Sequence, residues 1–377
     1  MVIPLPCSGE IGLYFHIPFC KRKCDYCHFY VVPNDQERQK LLLNGLRKEW
    51  QLKRECMKQK RIVSVYFGGG TPSLLQPNYL KEILNWISSL SLDEDLEITL
   101  EANPEDVTAD YAQIISNLGI NRVSMGVQSF NADELILLSR QHSNSAAALA
   151  IDHLQNAGID NISIDLMFDI PKQSLNSWEK TLAQAASLPI KHLSLYNLTI
   201  EAHTVFNKKR NFLEKMLPSE EESGIMYQKA IDILEAADLM QYEISAFAKD
   251  LQYSKHNSGY WMGRPFLGFG PSAFSYWDSR RFKNIANLHR YCHNLSTGQE
   301  FIDFEEKLSF DARQRELLTI QLRLKQGVNR QDFSLSAETT AAIDDLVQQG
   351  LLHIDDQQMT LTTRGRLFYD SVAAELV

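Results

Sequence analysis

The sequence predicts an α/β protein whose parallel sheet is doubly wound or barrel-like, followed by a small winged-helix-like α+β unit. Three observations predict it. Between residues 12 and 199, six short β-rich runs alternate with longer amphipathic stretches, and parallel neighbours require such crossovers because no tight turn can join them. At 377 residues the chain is more than twice the usual single-domain length, enough for one barrel-sized unit and a smaller one. After residue 301 the pattern becomes helix, helix, strand, turn, strand, helix.

The expected strands cover residues 13–17, 63–67, 97–100, 122–127, 161–168 and 192–197, and the helices between them 36–58, 78–90, 110–118, 145–157 and 175–186. A further region, 201–299, carries a helix over 220–237, an extended run over 241–247 and a glycine-rich stretch over 267–275. It reads as an extension of the first unit. Three segments result: a core over 1–200, an extension over 201–300 and a C-terminal unit over 301–377.

Composition narrows the function classes. Hydrophobic residues make up 44% and charged residues 23%, which excludes disordered, collagen-like and disulfide-miniprotein classes. The net charge of -9 disfavours sequence-independent nucleic-acid binding, which needs a basic surface to displace counterions. Residues 305–377 hold 12 acidic and 8 basic side chains, so a DNA-reading wing is not expected either. Residues 1–7 lack a basic stretch followed by an apolar one, and no run approaches 18 apolar residues, so the expectation is a cytoplasmic chain. There, cysteines serve as thiols or metal ligands rather than disulfides.

Cys20, Cys24 and Cys27 are clustered just after the first strand, whereas Cys7, Cys56 and Cys292 are scattered. Three thiolates on one loop can hold three corners of an iron-sulfur cluster and leave one iron open to an exogenous ligand. Two other readings use the same residues: Cys24-Asp25-Tyr26-Cys27-His28 matches the covalent c-type haem pattern, and three cysteines with His28 could make a zinc site. Neither accounts for Phe67-Gly68-Gly69-Gly70-Thr71-Pro72 at the end of the second strand, where glycines let a ligand approach the backbone.

Cys20-x3-Cys24-x2-Cys27 with Tyr26, followed by Gly68-Gly69-Gly70-Thr71-Pro72, resembles the radical S-adenosylmethionine (SAM) superfamily. Tyr14-x-His16-Ile17-Pro18-Phe19-Cys20, Glu101-x-Asn103-Pro104 and His256-Asn257-x-x-Tyr260-Trp261 are similar to motifs of the family that contains oxygen-independent coproporphyrinogen III oxidase and a haem-chaperone branch. The resemblance implies a partial (β/α)6 TIM-like barrel, a [4Fe-4S] cluster on Cys20, Cys24 and Cys27, and S-adenosylmethionine bound through the open iron. It further implies Tyr14 near the cluster, Gly69, Gly70 and Thr71 at the methionyl amino end, and Glu101 with Arg140 around the aminoacyl group. Gln128 and Asp165 would meet the ribose hydroxyls.

His256 is the candidate haem ligand, because an axial nitrogen beside flat aromatics can hold a macrocycle. A lone histidine beside aromatics is more often simply packed and hydrogen-bonded. The stretch Leu267-Gly268-Phe269-Gly270-Pro271-Ser272-Ala273 is the glycine loop that would admit a planar ligand. In the oxidase branch a further cysteine follows two residues after the third ligand and a longer region precedes the cysteine loop. This chain has Phe29 there and nineteen residues ahead of Cys20. Both departures point to the chaperone branch: binding haem and delivering it to respiratory or other haem proteins. The alternative is oxidative decarboxylation of coproporphyrinogen III, an activity not expected here. A zinc-dependent nucleic-acid module, the third reading, is opposed by the acidic C-terminal unit. The implied partners are haem and haem-accepting apoproteins, membrane-bound respiratory enzymes among them, with a homodimer as the candidate assembly. His28 stands where the family has an acidic residue, and Asp169-Ile170-Pro171-Lys172-Gln173 where it has Gly-Leu-Pro-x-Gln.

Overall fold

The computed structural model describes residues 9–140, 142–143 and 145–377, so Cys7 lies outside the described residues. Six parallel strands form in chain order: β1 (Glu10–Ile17), β2 (Arg61–Gly69), β3 (Ser91–Ala102), β4 (Arg122–Gln128), β5 (Asn161–Phe168) and β6 (His192–Asn197). The crossovers carry α1 (Gln36–Met57), α2 (Pro77–Ile87), α3 (Ala109–Asn117), α4 (Ala146–Asn156) and α5 (Leu175–Ser187).

Strands β1 to β6 lie side by side in sequence order. With right-handed crossovers that order puts every helix on one face and curls the other inward, whereas a doubly wound sheet returns partway to the other side of its first strand. The barrel-like alternative therefore holds. Along each strand the residues alternate accordingly. Leu13, Phe15, Val65, Phe67, Leu100, Val123, Ile164 and Leu193 join the main apolar core with the helices. Their neighbours Tyr14, Tyr66, Glu101, Ser124, Asp165 and Ser194 belong to the opposite set, and the register pairs Tyr14 with Tyr66, Glu101 with Ser124, and Asp165 with Ser194. The concave face is thus polar.

Beyond β6 come α6 (Glu220–Glu235), β7 (Met240–Glu243), β8 (Ala246–Ala248), α7 (Lys255–Trp261), β9 (Phe266–Phe269), β10 (Phe274–Trp277), β11 (Arg280–Asn284), α8 (Leu288–Thr297) and β12 (Ile302–Lys307). Helix α6 starts at a capping box between Ser219 and Glu222, with three acidic residues in its first turn. The sheet has twelve strands in the order β12-β11-β10-β9-β1-β2-β3-β4-β5-β6-β8-β7. Its two edges are far apart in that order, so the barrel is partial.

Four outcomes differ from the sequence reading. The extended run 241–247 splits into the antiparallel pair β7 and β8. The glycine-rich stretch holds a seventh parallel strand, β9, pairing with β1 on the side away from β2. Strand β3 begins at Ser91 rather than at 97, because its polar first half pairs with Arg61 and Ile62 while facing solvent. The short helix Ala132–Leu137, α7 and α8 had no long periodic pattern to announce them.

The remaining chain packs α9 (Phe310–Gln321), α10 (Ala337–Gln348) and α11 (Tyr369–Leu376) around a three-stranded sheet, with Leu318, Leu322, Ile343, Leu346, Met359 and Val372 in a second core that also takes in Ile244. This is the winged-helix-like arrangement expected. Arg323 ties it to the barrel, its guanidinium stacking 4.2 Å from the Trp261 ring centroid and 5.0 Å from that of Tyr369. Among the described residues no helix is long and apolar enough to cross a membrane.

Candidate functional site

The C-terminal ends of β1 to β6 open into a cavity of about 390 Å3 lined by Cys20, Cys24, Cys27, Gly69, Gly70, Thr71, Glu101, Gln128, Arg140 and Asp165. Every cluster residue read from the sequence reaches it, as does every cofactor residue except Tyr14. Parallel sheets place their sites at this end because the loops that leave it converge.

The cysteine loop is anchored at both ends. Phe19–Cys20 pairs with Val32–Pro33 as a short parallel ladder, and the Cys27 amide donates to the Cys24 carbonyl at 3.1 Å. The Phe206 amide donates to the Asp25 carbonyl at 3.0 Å, and the Phe206 ring meets Tyr26 edge-on. Cys20 Sγ lies 3.5 Å from Thr71 Oγ1, and Arg140 Nη1 lies 3.8 Å from Cys24 Sγ. Burial is the largest influence on the Cys20 and Cys27 thiols and pushes both up. Among the described residues, no three His, Cys, Asp or Glu side chains converge tightly enough to bind a single ion. Three thiols lining one cavity are the donor set that three corners of an iron-sulfur cluster require.

The glycines let β2 press against the base of that loop. A Cβ on Gly70 would sit 2.6 Å from the Phe19 carbonyl oxygen, and one on Gly69, at φ +113°, would sit 2.6 Å from the His16 ring. In exchange the Gly70 and Thr71 amides donate to the Ile17 and Phe19 carbonyls.

Glu101 accepts from the Tyr66 hydroxyl at 2.8 Å and from the Gly69 amide at 3.1 Å. Burial pushes its carboxyl up to about 7, with the Tyr66 hydroxyl offsetting part of the rise. Burial likewise pushes Asp165 up to about 6, with Ser194 and Arg122 offsetting part, and Ser124 Oγ donates to it at 3.2 Å. Arg140 donates to Asn103 Oδ1 at 2.7 Å and to the Gly126 carbonyl. Gln128 sits at φ 67°, where β4 shifts register against β5, and its Oε1 is buried without a partner, as is Arg140 Nε. Buried carboxylates and an orphaned acceptor beside an orphaned guanidinium N–H fit a ligand that carries ammonium, carboxylate and hydroxyl groups together.

A pH test of the ligand-free site follows. Both folded carboxyl values lie above the ordinary 4.5 and 3.8, so the stability they contribute is fully present only below about pH 4, is lost as pH rises from there to the folded values, and is gone above about pH 6 to 7. Glu101→Gln, uncharged at every pH, is expected to gain on the parent by up to about 1 kcal/mol per pH unit across that window. Urea midpoints measured from pH 4 to 8 check this, and parallel curves for the two proteins would contradict it.

Tyr14 and His256 are elsewhere. The Tyr14 ring stacks on Tyr66 and His256 at centroid distances of 6.2 and 6.4 Å, and its hydroxyl lies 3.0 Å from His16 Nδ1. His256 is 2% exposed near the opposite ends of the strands, with Nδ1 2.9 Å from Ser64 Oγ and Nε2 2.6 Å from the Tyr260 hydroxyl. Burial holds its imidazole down to about 3, so the ring is neutral and both nitrogens are engaged. The glycine loop expected beside it is closed by its own chain: a Cβ on Gly268 would lie 2.0 Å from the Phe274 carbonyl oxygen and one on Gly270 2.7 Å from that of His16. His28 is exposed at the cavity rim against Phe29. The sequence reading gave Tyr66 and Asn197 no role and Asn103 none beyond its motif. Their signal is the alternation of polar residues along strands whose other face is apolar.

The sequence profile described as the Radical SAM superfamily matches residues 14–185, and that of the HemN C-terminal domain matches residues 308–368. Heme chaperone HemW of Bacillus subtilis (strain 168) is 33% identical to this chain, covering 95% of it and 97% of the relative. Heme chaperone HemW of Escherichia coli (strain K12) is 31% identical, covering 96% and 97%. The solved structure of coproporphyrinogen III oxidase (HemN) from Escherichia coli, a radical SAM enzyme, superposes with a TM-score of 0.85 at 22% identity, covering 97% of this chain and 90% of that one, and so shares its fold. With the cysteine loop, the glycine strand end and the partial barrel all in place, the chain belongs to the HemW family of the radical SAM superfamily.

Proposed function

We propose that this chain is a haem chaperone. It holds a [4Fe-4S] cluster on Cys20, Cys24 and Cys27, binds S-adenosylmethionine across the strand ends, takes up haem as cargo and passes it in the cytoplasm to haem-accepting apoproteins, including membrane-bound respiratory enzymes. The observation that carries the cofactor reading is the convergence of three thiols and the Glu101, Gln128, Arg140 and Asp165 side chains on one cavity. The cargo reading rests on the relatives named Heme chaperone HemW and on Phe29, where the oxidase branch has a cysteine.

Bound together, cluster and S-adenosylmethionine supply one-electron chemistry. The chain's own part is orientation. Glu101 suits the methionyl ammonium, the Arg140 guanidinium suits the carboxylate, and Gln128 Oε1 with Asp165 suits the ribose hydroxyls. The test is an anaerobic assay of the reconstituted protein with S-adenosylmethionine, coproporphyrinogen III and haem. Saturable haem uptake and transfer to an apoprotein, without decarboxylated porphyrin, is expected. Decarboxylated product would make the oxidase reading the correct one.

His256 is the proposed haem ligand on one condition: Nε2 must exchange the Tyr260 hydroxyl for iron. Tyr260→Phe removes that competitor and is expected to tighten haem binding about fivefold, the worth of one hydrogen bond, while His256→Ala weakens it and moves the Soret band. Titrations in which both variants match the parent would rule out His256 as the ligand.

A further inference from the structure

The stretch Cys24-Asp25-Tyr26-Cys27-His28 contains a donor that neither cluster nor cofactor binding uses. His28 is exposed and lines the rim of the cavity. Its ring meets Phe29 at a centroid distance of 4.5 Å, and neither ring nitrogen takes part in a hydrogen bond within the described structure. The buried histidines differ: His16, His142, His192 and His256 each hold at least one partner through the ring. A neutral imidazole binds a metal through a free nitrogen lone pair, and His28 has one to offer.

Its surroundings narrow the ligand. Phe29 is 52% exposed, and it shares the cavity lining with Val31 and Leu198. A single exposed phenylalanine is unremarkable on a protein surface, but one that continues an apolar lining is a place for an apolar ligand to rest. On the same loop Lys21, Arg22 and Lys23 are exposed and line the cavity, a local reversal of sign in a chain of net charge -9. Lys21 pairs with Asp106 and Lys23 Nζ donates to the Phe29 carbonyl, whereas Arg22 has no ion pair or hydrogen bond within the described structure. A free imidazole, an apolar flank and unengaged positive charge match the three parts of haem: its iron, its macrocycle and its propionates. An inorganic anion or an acidic protein would account for the cations alone.

Access separates this place from His256. With 2% exposure and both nitrogens engaged, His256 cannot meet a haem arriving from water until the chain around it opens. His28 can be met at once. We propose that His28 is the axial ligand of an outer haem site on the rim of the cavity, with Phe29 against the macrocycle and Arg22 and Lys23 on the propionates. The inference rests on the haem-chaperone reading and adds the site where solvent-borne cargo docks. Cys24 and Cys27 stay with the cluster, so the nitrogen-to-iron bond is the only one formed and the haem remains free to leave.

The test is anaerobic titration of hemin into the cluster-loaded full chain, read as difference spectra against the haem-free protein. His28→Asp and His28→Ala are placed in the parent and in His256→Ala. Folded His256→Ala protein is expected to keep saturable haem binding with the Soret spectrum of imidazole ligation. Adding either His28 change should lower its affinity about tenfold or more and replace that spectrum, and in the parent should remove the same Soret component. Cluster iron, measured alongside, should stay at the parent level. Arg22→Ala should weaken binding about two- to fivefold with the Soret band unmoved. Spectra that neither His28 variant changes in either background overturn the outer site and leave the chaperone reading intact, as does folded His256→Ala protein that binds no haem. A parent that binds no haem overturns both.

Discussion

Alanine in place of any one of Cys20, Cys24 or Cys27 is expected to strip the cluster, taking anaerobically loaded protein from about four irons and four sulfides per chain to less than about one. The loop offers no substitute. His28, the nearest other donor in sequence, is turned to the rim against Phe29, and Thr71 Oγ1, though 3.5 Å from Cys20 Sγ, is a poor ligand for iron-sulfur chemistry. Cys56→Ala and Cys292→Ala are the controls. Cys56 is exposed, and Cys292 is packed on α8 against α1 with its thiol donating to the Leu41 carbonyl, so neither reaches the cavity. Cys7→Ala should also leave the cluster untouched. Metal analysis with Mössbauer spectroscopy decides: zinc in place of cluster iron, or a cysteine-loop variant that keeps its full iron content, would refute the assignment.

Glu97→Ala is expected to be the most damaging single change to the fold. Glu97 is 5% exposed and accepts from the Lys255 and His256 amides at 2.8 and 3.0 Å, the first two N–H groups of α7. It is also 4.0 Å from Arg122, which is 1% exposed and has Nε and Nη1 without hydrogen-bond partners. Removing the carboxylate orphans two helix-terminal donors and leaves a buried guanidinium without its 4.0 Å carboxylate partner, its remaining attraction coming from Asp165 and Glu101. A loss of about 3 to 5 kcal/mol is expected. Glu97→Gln keeps an acceptor for the amides but not the charge, so it should fall between parent and Ala. Urea unfolding gives the size of the loss, and hydrogen exchange at α7 locates it. A midpoint equivalent to a change under about 0.5 kcal/mol would show that Arg122 is compensated from elsewhere.

The cysteine loop and glycine run were legible because their chemistry is local: thiols within eight residues, and glycines at a strand end. The six parallel strands were legible because each is an apolar run between amphipathic helices. What escaped depends on partners distant in sequence. Strand β9 is four residues with a glycine in the middle, and only its pairings with β1 and β10 make it a strand. His256 carries the composition of a ligand site, but whether its nitrogens are free is decided by Ser64, 192 positions earlier, and by Tyr260. The placement of Asn197 is similarly invisible until β5 and β6 lie in register.

The pairing of β9 with β1 also has a consequence for biosynthesis. Leu13 is matched to Leu267, so one side of the first strand stays open until some 250 further residues have left the ribosome. At roughly 5 to 20 residues per second, that interval is on the order of 12 to 50 s. Throughout it the nascent chain exposes a naked strand edge. Ribosome-bound fragments that stop before residue 266 would therefore be the aggregation-prone species.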